Sequence, residues 1–337
     1  MERLLTYKDA ISEALRTAMR QDENVIILGE DLVGGTGKED KNLLDAWGGA
    51  FTVTKGFINE FGPNRILDTP ITENAFIGAA IGASMVGLRP VAELMYIDFI
   101  GVCFDLFLNQ AGKQRYMFGG QSKNPITIRA TYGCGWREGA QHSHTNYSII
   151  CHLPGWYVVA PSNPYDMKGA LLASIRSDNP VLVMEHRVIY DKKGHVPEND
   201  YELPIGKGEV KKEGSDLTIF AIGALVGKAL KIAEKFNENG ISIEVIDPIW
   251  LAPLEKDIIN DSVKKTGKLL ILDEDNPRCS VASDVAALIA CEGIDYIEKP
   301  VKMLTSPNTP VPFSPVLEDE YIISEEDIEK TVNELLS

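Results

Sequence analysis

Tyr157-Val158-Val159-Ala160, then Pro161-Ser162-Asn163-Pro164-Tyr165-Asp166-Met167, then Val181-Leu182-Val183-Met184 is the stretch whose reading decides the fold. Its two short apolar runs read as buried strands. Between them Ser162-Asn163-Pro164 is a capped helix start with proline in the first turn, and the helix runs from Met167 to Ile175. Strand, helix, strand in that order is the repeating unit of an α/β protein with parallel sheets.

The same alternation extends towards the N-terminus. Thr6 caps a helix carrying Ile11, Ala14, Leu15 and Ala18 on one face, and Val25 to Leu28 reads as a strand. A helix is predicted from Thr72 through Ala79, Ala80 and Ala83 to Gly87, with Gly78 and Gly82 leaving room for another backbone to approach. Asn74, Ala75, Phe76, Ile77 and Gly78 read as buried. Strands are predicted at Pro90–Met95 and Pro125–Ile128. Towards the C-terminus, the polar segment Asp191-Lys192-Lys193-Gly194-His195-Val196-Pro197-Glu198-Asn199-Asp200 has the composition of an interdomain linker. Beyond it come strands at Leu217–Ile222, Ile241–Ile246 and Leu269–Leu272, helices at Leu225–Phe236 and Leu254–Lys264, and a last helix from Glu325 to Leu336. The reading is therefore α/β with two doubly wound domains: residues 1–190, a linker at 191–201, and a smaller domain at 202–337.

Length and composition agree with this division. A chain of 337 residues holds about two domains, and its 44% hydrophobic and 24% charged content is ordinary for a globular protein. A net charge of −16 opposes binding to a nucleic acid backbone and is compatible with basic protein partners. The five cysteines are odd in number and form no C-x-x-C pair, so a reduced, cytoplasmic thiol set is expected instead of disulfides or a zinc site. Met1-Glu2-Arg3 leads straight into a mixed-polarity segment, so no signal peptide is expected. No apolar run is long enough to span a membrane.

Few residues point to chemistry by type and spacing alone. Gly34-Gly35-Thr36-Gly37-Lys38 suggests a phosphate loop, but Leu32 stands where its first glycine belongs and Glu39 replaces the Ser or Thr that holds magnesium. No G-x-G-x-x-G follows a strand, which disfavours a nicotinamide-binding domain. Glu73 falls in the first turn of a helix, where it complements the dipole or does something more specific. His142 and His144 flank Ser143 without a third metal ligand at a suitable spacing, leaving core, loop or catalytic roles open. Asp98 and Glu93 bracket a strand end, where α/β proteins place ligands.

Ordered blocks carry a family resemblance. Thr69-Pro70-Ile71-Thr72-Glu73, Gly78-Ala79-Ala80-Ile81-Gly82-Ala83 and Gly87-Leu88-Arg89-Pro90 come first. Tyr96-Ile97-Asp98-Phe99, Tyr116-Met117-Phe118-Gly119-Gly120-Gln121, Gln141-His142-Ser143 and Pro154-Gly155-Trp156-Tyr157 follow, with Pro307-Asn308-Thr309-Pro310 near the end. The chain resembles the beta subunit of the decarboxylating component of 2-oxoacid and acetoin dehydrogenase complexes, within the transketolase superfamily. The resemblance implies a pyrimidine-binding transketolase-like domain followed by a transketolase C-terminal-like domain.

The resemblance also implies roles. Glu73 matches the carboxylate that bonds the aminopyrimidine of thiamine diphosphate and favours its imino tautomer. Phe99 matches the aromatic residue stacked on that ring, and Met95 lies near the cofactor. His142 matches the histidine expected to handle protons or orient the intermediate during acyl transfer to a lipoyl group. Ile126, Ser174, Ile175, Ser177 and Asn179 fall on the potassium positions of some members, where the ligands are mostly backbone carbonyls. The chain contains no Gly-Asp-Gly, the start of the usual magnesium-diphosphate motif. Magnesium is therefore expected mainly from an alpha subunit in a heterotetramer of two alpha and two beta chains, which acylates a lipoyl acyltransferase core.

Three departures stand out. Trp136 and Arg137 occupy a loop where relatives carry small residues, and are expected to narrow the entrance or touch substrate. His144 stands where glutamine is usual, and Glu274-Asp275-Asn276-Pro277-Arg278 replaces a Gly-rich stretch. The Met117-Phe118-Gly119-Gly120-Gln121 block leans towards the acetoin and pyruvate branches over the branched-chain one. The alternatives are a split transketolase-like enzyme that passes a two-carbon unit to a sugar, and a non-catalytic scaffolding relative.

Overall fold

Thr6 does cap a helix: its hydroxyl accepts from the Asp9 N–H at 3.0 Å, and the helix α1 (Tyr7–Gln21) buries Ile11, Ala14, Leu15 and Ala18. The computed structural model describes residues 3–33 and 48–337. The glycine-rich loop at 34–38 and the first two residues, which carry expectations from the sequence, lie outside the described residues.

Strands β1 (Leu4–Thr6), β2 (Val25–Glu30), β3 (Ile66–Thr69), β4 (Arg89–Tyr96), β5 (Thr127–Tyr132), β6 (Tyr157–Val159), β7 (Val181–His186) and β8 (Lys193–His195) belong to the first part of the chain. With them come helices α2 (Phe57–Phe61), α3 (Glu73–Met85), α4 (Gly112–Met117), α5 (Tyr147–Cys151) and α6 (Pro164–Arg176). The second part holds β9 (Glu209–Lys212), β10 (Leu217–Ala221), β11 (Ile243–Asp247), β12 (Trp250–Ala252), β13 (Leu269–Asp273) and β14 (Lys302–Thr305). Its helices are α7 (Ala224–Asn237), α8 (Lys256–Thr266), α9 (Val281–Glu292), α10 (Pro315–Tyr321) and α11 (Glu325–Leu336).

Two mainly parallel sheets carry the fold. The larger runs β12-β6-β7-β5-β4-β2-β3, and the smaller β14-β13-β10-β11-β9. The βαβ unit read at 157–184 is present: Asn163 caps α6 by accepting from the Asp166 N–H, with Pro164 in the first turn, and β6 and β7 pair in parallel. α6 is buried along almost its whole length, since it fills the groove between the sheet and α1. Its Lys168 is 1% exposed, and its ammonium donates to the carbonyls of Pro197 and Asn199.

The structure adds to or departs from the sequence reading at four points. β5 starts at Thr127 rather than Pro125, because Pro125 and Ile126 form the approach to the strand. The polar segment read as a linker contains β8, which pairs antiparallel with β1, and Lys168 ties down its remainder. β12, from the second half, crosses over to pair with β6 and extends the larger sheet. Finally, Asn74 and Ala75 are exposed and Gly78 is half-buried; only Phe76 and Ile77 of that run are in the core.

One hydrophobic cluster unites both halves, joining Ala130, Tyr132, Ile150 and Val158 with Phe220, Ile246 and Leu251. In the larger sheet, Arg129 lies buried between Glu93 (2.8 Å) and Glu185 (2.6 Å) on the neighbouring strands. A buried guanidinium satisfied on both sides avoids the desolvation penalty of an unpaired charge. Among the described residues no helix is long and apolar enough to cross a membrane.

Candidate active site

The larger sheet has a topological switch point between β2 and β4: from β2 the chain goes to β3 on one side and returns to β4 on the other. Open α/β sheets bind ligands outside the carboxyl ends of strands at such a point. Glu30, Glu73, the segment 96–103 and the loop 133–146 all issue from those ends.

Glu73 begins α3, preceded by Thr72, which makes no side-chain capping bond. Its carboxylate suits the positive end of the helix dipole. The residue is 8% exposed, yet among the described residues its carboxylate has no hydrogen-bonding partner. Its charge is felt nearby. Burial first, then Asp31, Glu73 and Glu93, pushes Glu30 up. Burial and then Glu73 push the Cys103 thiol up to about 12. Cys103 ends the same 3-10 segment, Ile97–Cys103, that carries Phe99.

Met95 sits at an irregularity in the β4–β5 pairing: Leu94 is opposite Ala130 but Tyr96 opposite Thr131, so Met95 is the extra residue. Such a bulge bends the strand and re-aims the residues beyond it. Here Tyr96 and Phe99 turn onto His142. The His142 ring makes edge contacts with Tyr96 at 4.8 Å and with Phe99 at 5.4 Å between centroids. Tyr96 donates to Glu138 at 2.9 Å; burial, and after it Glu138, keeps the phenol protonated far above its usual range.

A cavity of about 530 Å³ opens beside these groups, lined by Asp98, Phe99, Gln141, His142, His144 and Asn146 among others. Nδ1 of His144 lies 2.6 Å from Oδ1 of Asp98, and this hydrogen bond, more than any other influence, raises the imidazole's pKa. The sequence singles out Asp98 and His144 separately. No spacing rule joins two residues 46 positions apart. The second oxygen of Asp98 and the Ser143 hydroxyl are buried without partners among the described residues.

Trp136 and Arg137 do not line this cavity. Trp136 stacks under the Arg187 guanidinium at 4.0 Å, while Arg137 reaches Glu318 at 2.9 Å and Asp319 at 2.5 Å on α10. Arg137 thereby fastens the loop to the second half of the chain, while Trp136 packs it against Arg187 of the first. The Glu274 departure has a similar place, with its carboxylate 2.5 Å from Nε2 of His186. The H-x-H pair gathers no third ligand, and among the described residues no cluster of three or more His, Cys, Asp or Glu groups is placed to hold a metal ion.

The expected potassium positions lie at the opposite, amino-terminal ends of the central strands β5 and β7. Ser174, Ile175, Ser177 and Asn179 form the end of α6 and the turn beyond it, joined to the approach of β5 by the bond from the Val181 N–H to the Ile126 carbonyl. Arg89 donates to the carbonyls of Ile175 (3.2 Å) and Ser177 (2.9 Å), so a fixed positive charge already faces this helix end.

Residues 3–192 match the transketolase pyrimidine-binding domain, and residues 206–328 the transketolase C-terminal domain. The chain is 51% identical over 336 residues to the beta subunit of acetoin:2,6-dichlorophenolindophenol oxidoreductase of Bacillus subtilis, covering 100% of this chain and 98% of the relative. It is 38% identical to the 2-oxoisovalerate dehydrogenase subunit beta of the same organism, with 98% of each covered. It is 37% identical to the Bacillus subtilis pyruvate dehydrogenase E1 component subunit beta, again with 98% of each covered. Among solved structures, a split-gene transketolase described as an inactive beta4 tetramer superposes with a TM-score of 0.77 at 23% identity, covering 98% of both chains.

Proposed function

This chain belongs to the transketolase-like family of acetoin and 2-oxoacid dehydrogenase beta subunits, and from that premise we propose that it is the beta subunit of an acetoin-cleaving oxidoreductase. The observation that carries the choice of substrate is the step in similarity. Two acetoin oxidoreductase beta subunits stand at 51% and 47% identity, against 38% for the 2-oxoisovalerate enzyme and 37% for the pyruvate enzyme. The split-transketolase reading has only a likeness of fold behind it, at 23% identity.

The residues fit thiamine diphosphate. A nearly buried carboxylate without a partner, Glu73, suits the protonated ring nitrogen of an aminopyrimidine. Phe99, half-buried beside the cavity, offers the flat surface such a ring stacks on. When bound, thiamine diphosphate supplies the carbon nucleophile and the electron sink for breaking the bond next to the substrate carbonyl. Glu73 orients the pyrimidine and holds its proton inventory; the Met95 bulge shapes the approach to the ring; His142, braced by Tyr96 and Phe99, carries a proton on the acceptor side.

The remainder of the site belongs to a partner. With no Gly-Asp-Gly in the chain, magnesium and diphosphate fall to an alpha subunit, in a heterotetramer that passes its acyl group to a lipoyl acyltransferase. The exposed face of α3 and the residues at its two ends support this: Met85 is 49% exposed, Ile71 before the helix 72% and Val86 after it 81%, and a side chain at Gly82 would meet nothing within 4 Å. So large an apolar stretch beside Glu73 calls for a covering protein. Five free cysteines fit a reducing cytoplasm. The test is co-purification with its alpha partner, followed by dye reduction with acetoin, pyruvate and 2-oxoisovalerate. Acetoin is expected to have the highest kcat/KM, and a tenfold preference for either oxoacid would overturn the assignment.

A further inference from the structure

Two histidines face the same cavity, and only one is accounted for. His142 rests against the aromatic wall, while His144 belongs to a separate pair with Asp98. Asp98 and Phe99 are consecutive, so a single turn of backbone positions both histidines, each through a different side chain. The His144 backbone N–H also approaches Asp98 Oδ1, at 3.4 Å. With Nδ1 committed to that carboxylate, Nε2 is left without a protein partner among the described residues. Asp98 itself is well buried, with its side chain 6% exposed and its Oδ2 without a partner. A carboxylate holding one imidazole nitrogen and leaving the other facing a cavity is the arrangement of an oriented base.

The proposed substrate gives such a base something to do. A 2-oxoacid loses carbon dioxide with no proton to remove, because its carboxylate is already ionised. A 2-hydroxy ketone cannot cleave that way. Its hydroxyl must lose a proton as the bond between the carbinol and carbonyl carbons breaks. We propose that His144, oriented by Asp98, is the catalytic base that takes the hydroxyl proton of a 2-hydroxy ketone during carbon–carbon cleavage. The O–H electron pair becomes the second bond of the departing aldehyde, the carbon–carbon pair stays on the former carbonyl carbon, and the proton goes to Nε2. Asp98 is a positioning residue that favours the protonated ring. Asp275, on the loop after β13, acts on the ring in the same direction, so both carboxylates must be considered in any titration.

This inference rests on the acetoin reading, so the experiment separates the two. The complete complex with its alpha partner is compared as wild type, H144Q and D98N, with acetoin and with pyruvate. Expected for H144Q is a loss of acetoin kcat of about 10²-fold or more, with KM nearly unchanged and any pyruvate turnover within threefold of wild type. For D98N, the acidic limb of the acetoin pH profile is expected to move to lower pH. A readout independent of turnover is the pH dependence of His144 carbethoxylation by diethyl pyrocarbonate, measured by peptide mass spectrometry; its midpoint should fall in D98N. If the wild type does not cleave acetoin, the functional reading fails. If it does and H144Q retains acetoin kcat, or loses acetoin and pyruvate turnover equally, the role of His144 is overturned.

Discussion

Glu318 on α10 accepts from the backbone N–H groups of both Gly135 and Arg137 and from the Arg137 guanidinium, although the two segments are some 181 residues apart in the chain. Glu318 is fully buried, and Arg137 holds a backbone φ of 62°. A non-glycine residue in that region needs its surroundings to keep it there. The loop that ends in His142 and His144 is therefore shaped by a carboxylate from the other half of the molecule.

That contact predicts a coupled loss. In E318A two backbone donors and a guanidinium lose their acceptor, which costs about 1–3 kcal/mol for the unsatisfied buried groups. Tm should fall, and acetoin kcat/KM should fall with it as the histidine loop relaxes. E318Q retains an oxygen acceptor and should recover much of the stability. Equal activity of E318A and wild type would show that the loop keeps its shape unaided.

Glu73 predicts the opposite separation of stability from activity. The carboxylate has no partner among the described residues, so E73Q removes no internal hydrogen bond there and should leave folding and assembly intact. If the carboxylate sets the proton inventory of the pyrimidine, turnover with the alpha partner should drop by about 10²–10⁴-fold. Near-normal turnover of a fully assembled E73Q complex would remove Glu73 from the chemistry.

What is legible in the sequence depends on the distance over which each contact acts. Caps and periodicity are local, so Thr6 and Asn163 can be read directly, as can the final helix at Glu325–Leu336. β12 escapes such reading because three residues after Asp247-Pro248-Ile249 carry no period. Asn74 and Ala75 mislead because an apolar helix looks the same whether its face meets its own core or another chain. At the site, residue types alone reach only a cleft. The roles of Glu73, Phe99 and His142 come from family resemblance, and the Asp98–His144 and Arg137–Glu318 pairs require the fold.

The potassium expectation can be tested against Arg89. Its guanidinium already meets the carbonyls of Ile175 and Ser177, and it pairs with Asp178 at 2.9 Å. A carbonyl can accept twice, so an ion can share this helix end. If it does, replacing potassium by sodium at constant ionic strength should lower Tm, as loss of any ligand of the native state does. An unchanged Tm would leave Arg89 as the cation that serves these carbonyls.

A last prediction concerns the seam between the two sheets. Asp247, at the end of β11, accepts from Ser162 at 2.5 Å and from the Ile249 N–H at 2.9 Å, which holds Ile249 at a φ of 53°. Nearby, Asp166 is paired with Lys211 at 2.7 Å. Burial above all, and then the Asp166 charge, pushes Asp247 up to about 7, against the partial relief given by Lys211 and Ser162. The folded protein therefore binds a proton here that the unfolded chain has released, over the range between the ordinary carboxylate pKa and about 7. The group's contribution to stability is thus fully present below the ordinary carboxylate range and is lost as pH rises through about 7. In D247N the amide can keep both hydrogen bonds, because the Ser162 hydroxyl accepts as readily as it donates. Tm measured from pH 5 to pH 8 should then decline less in D247N than in wild type, with the difference favouring the variant most at the alkaline end. Parallel curves would mean that Asp247 is ionised throughout, stabilised by Lys211 across the seam.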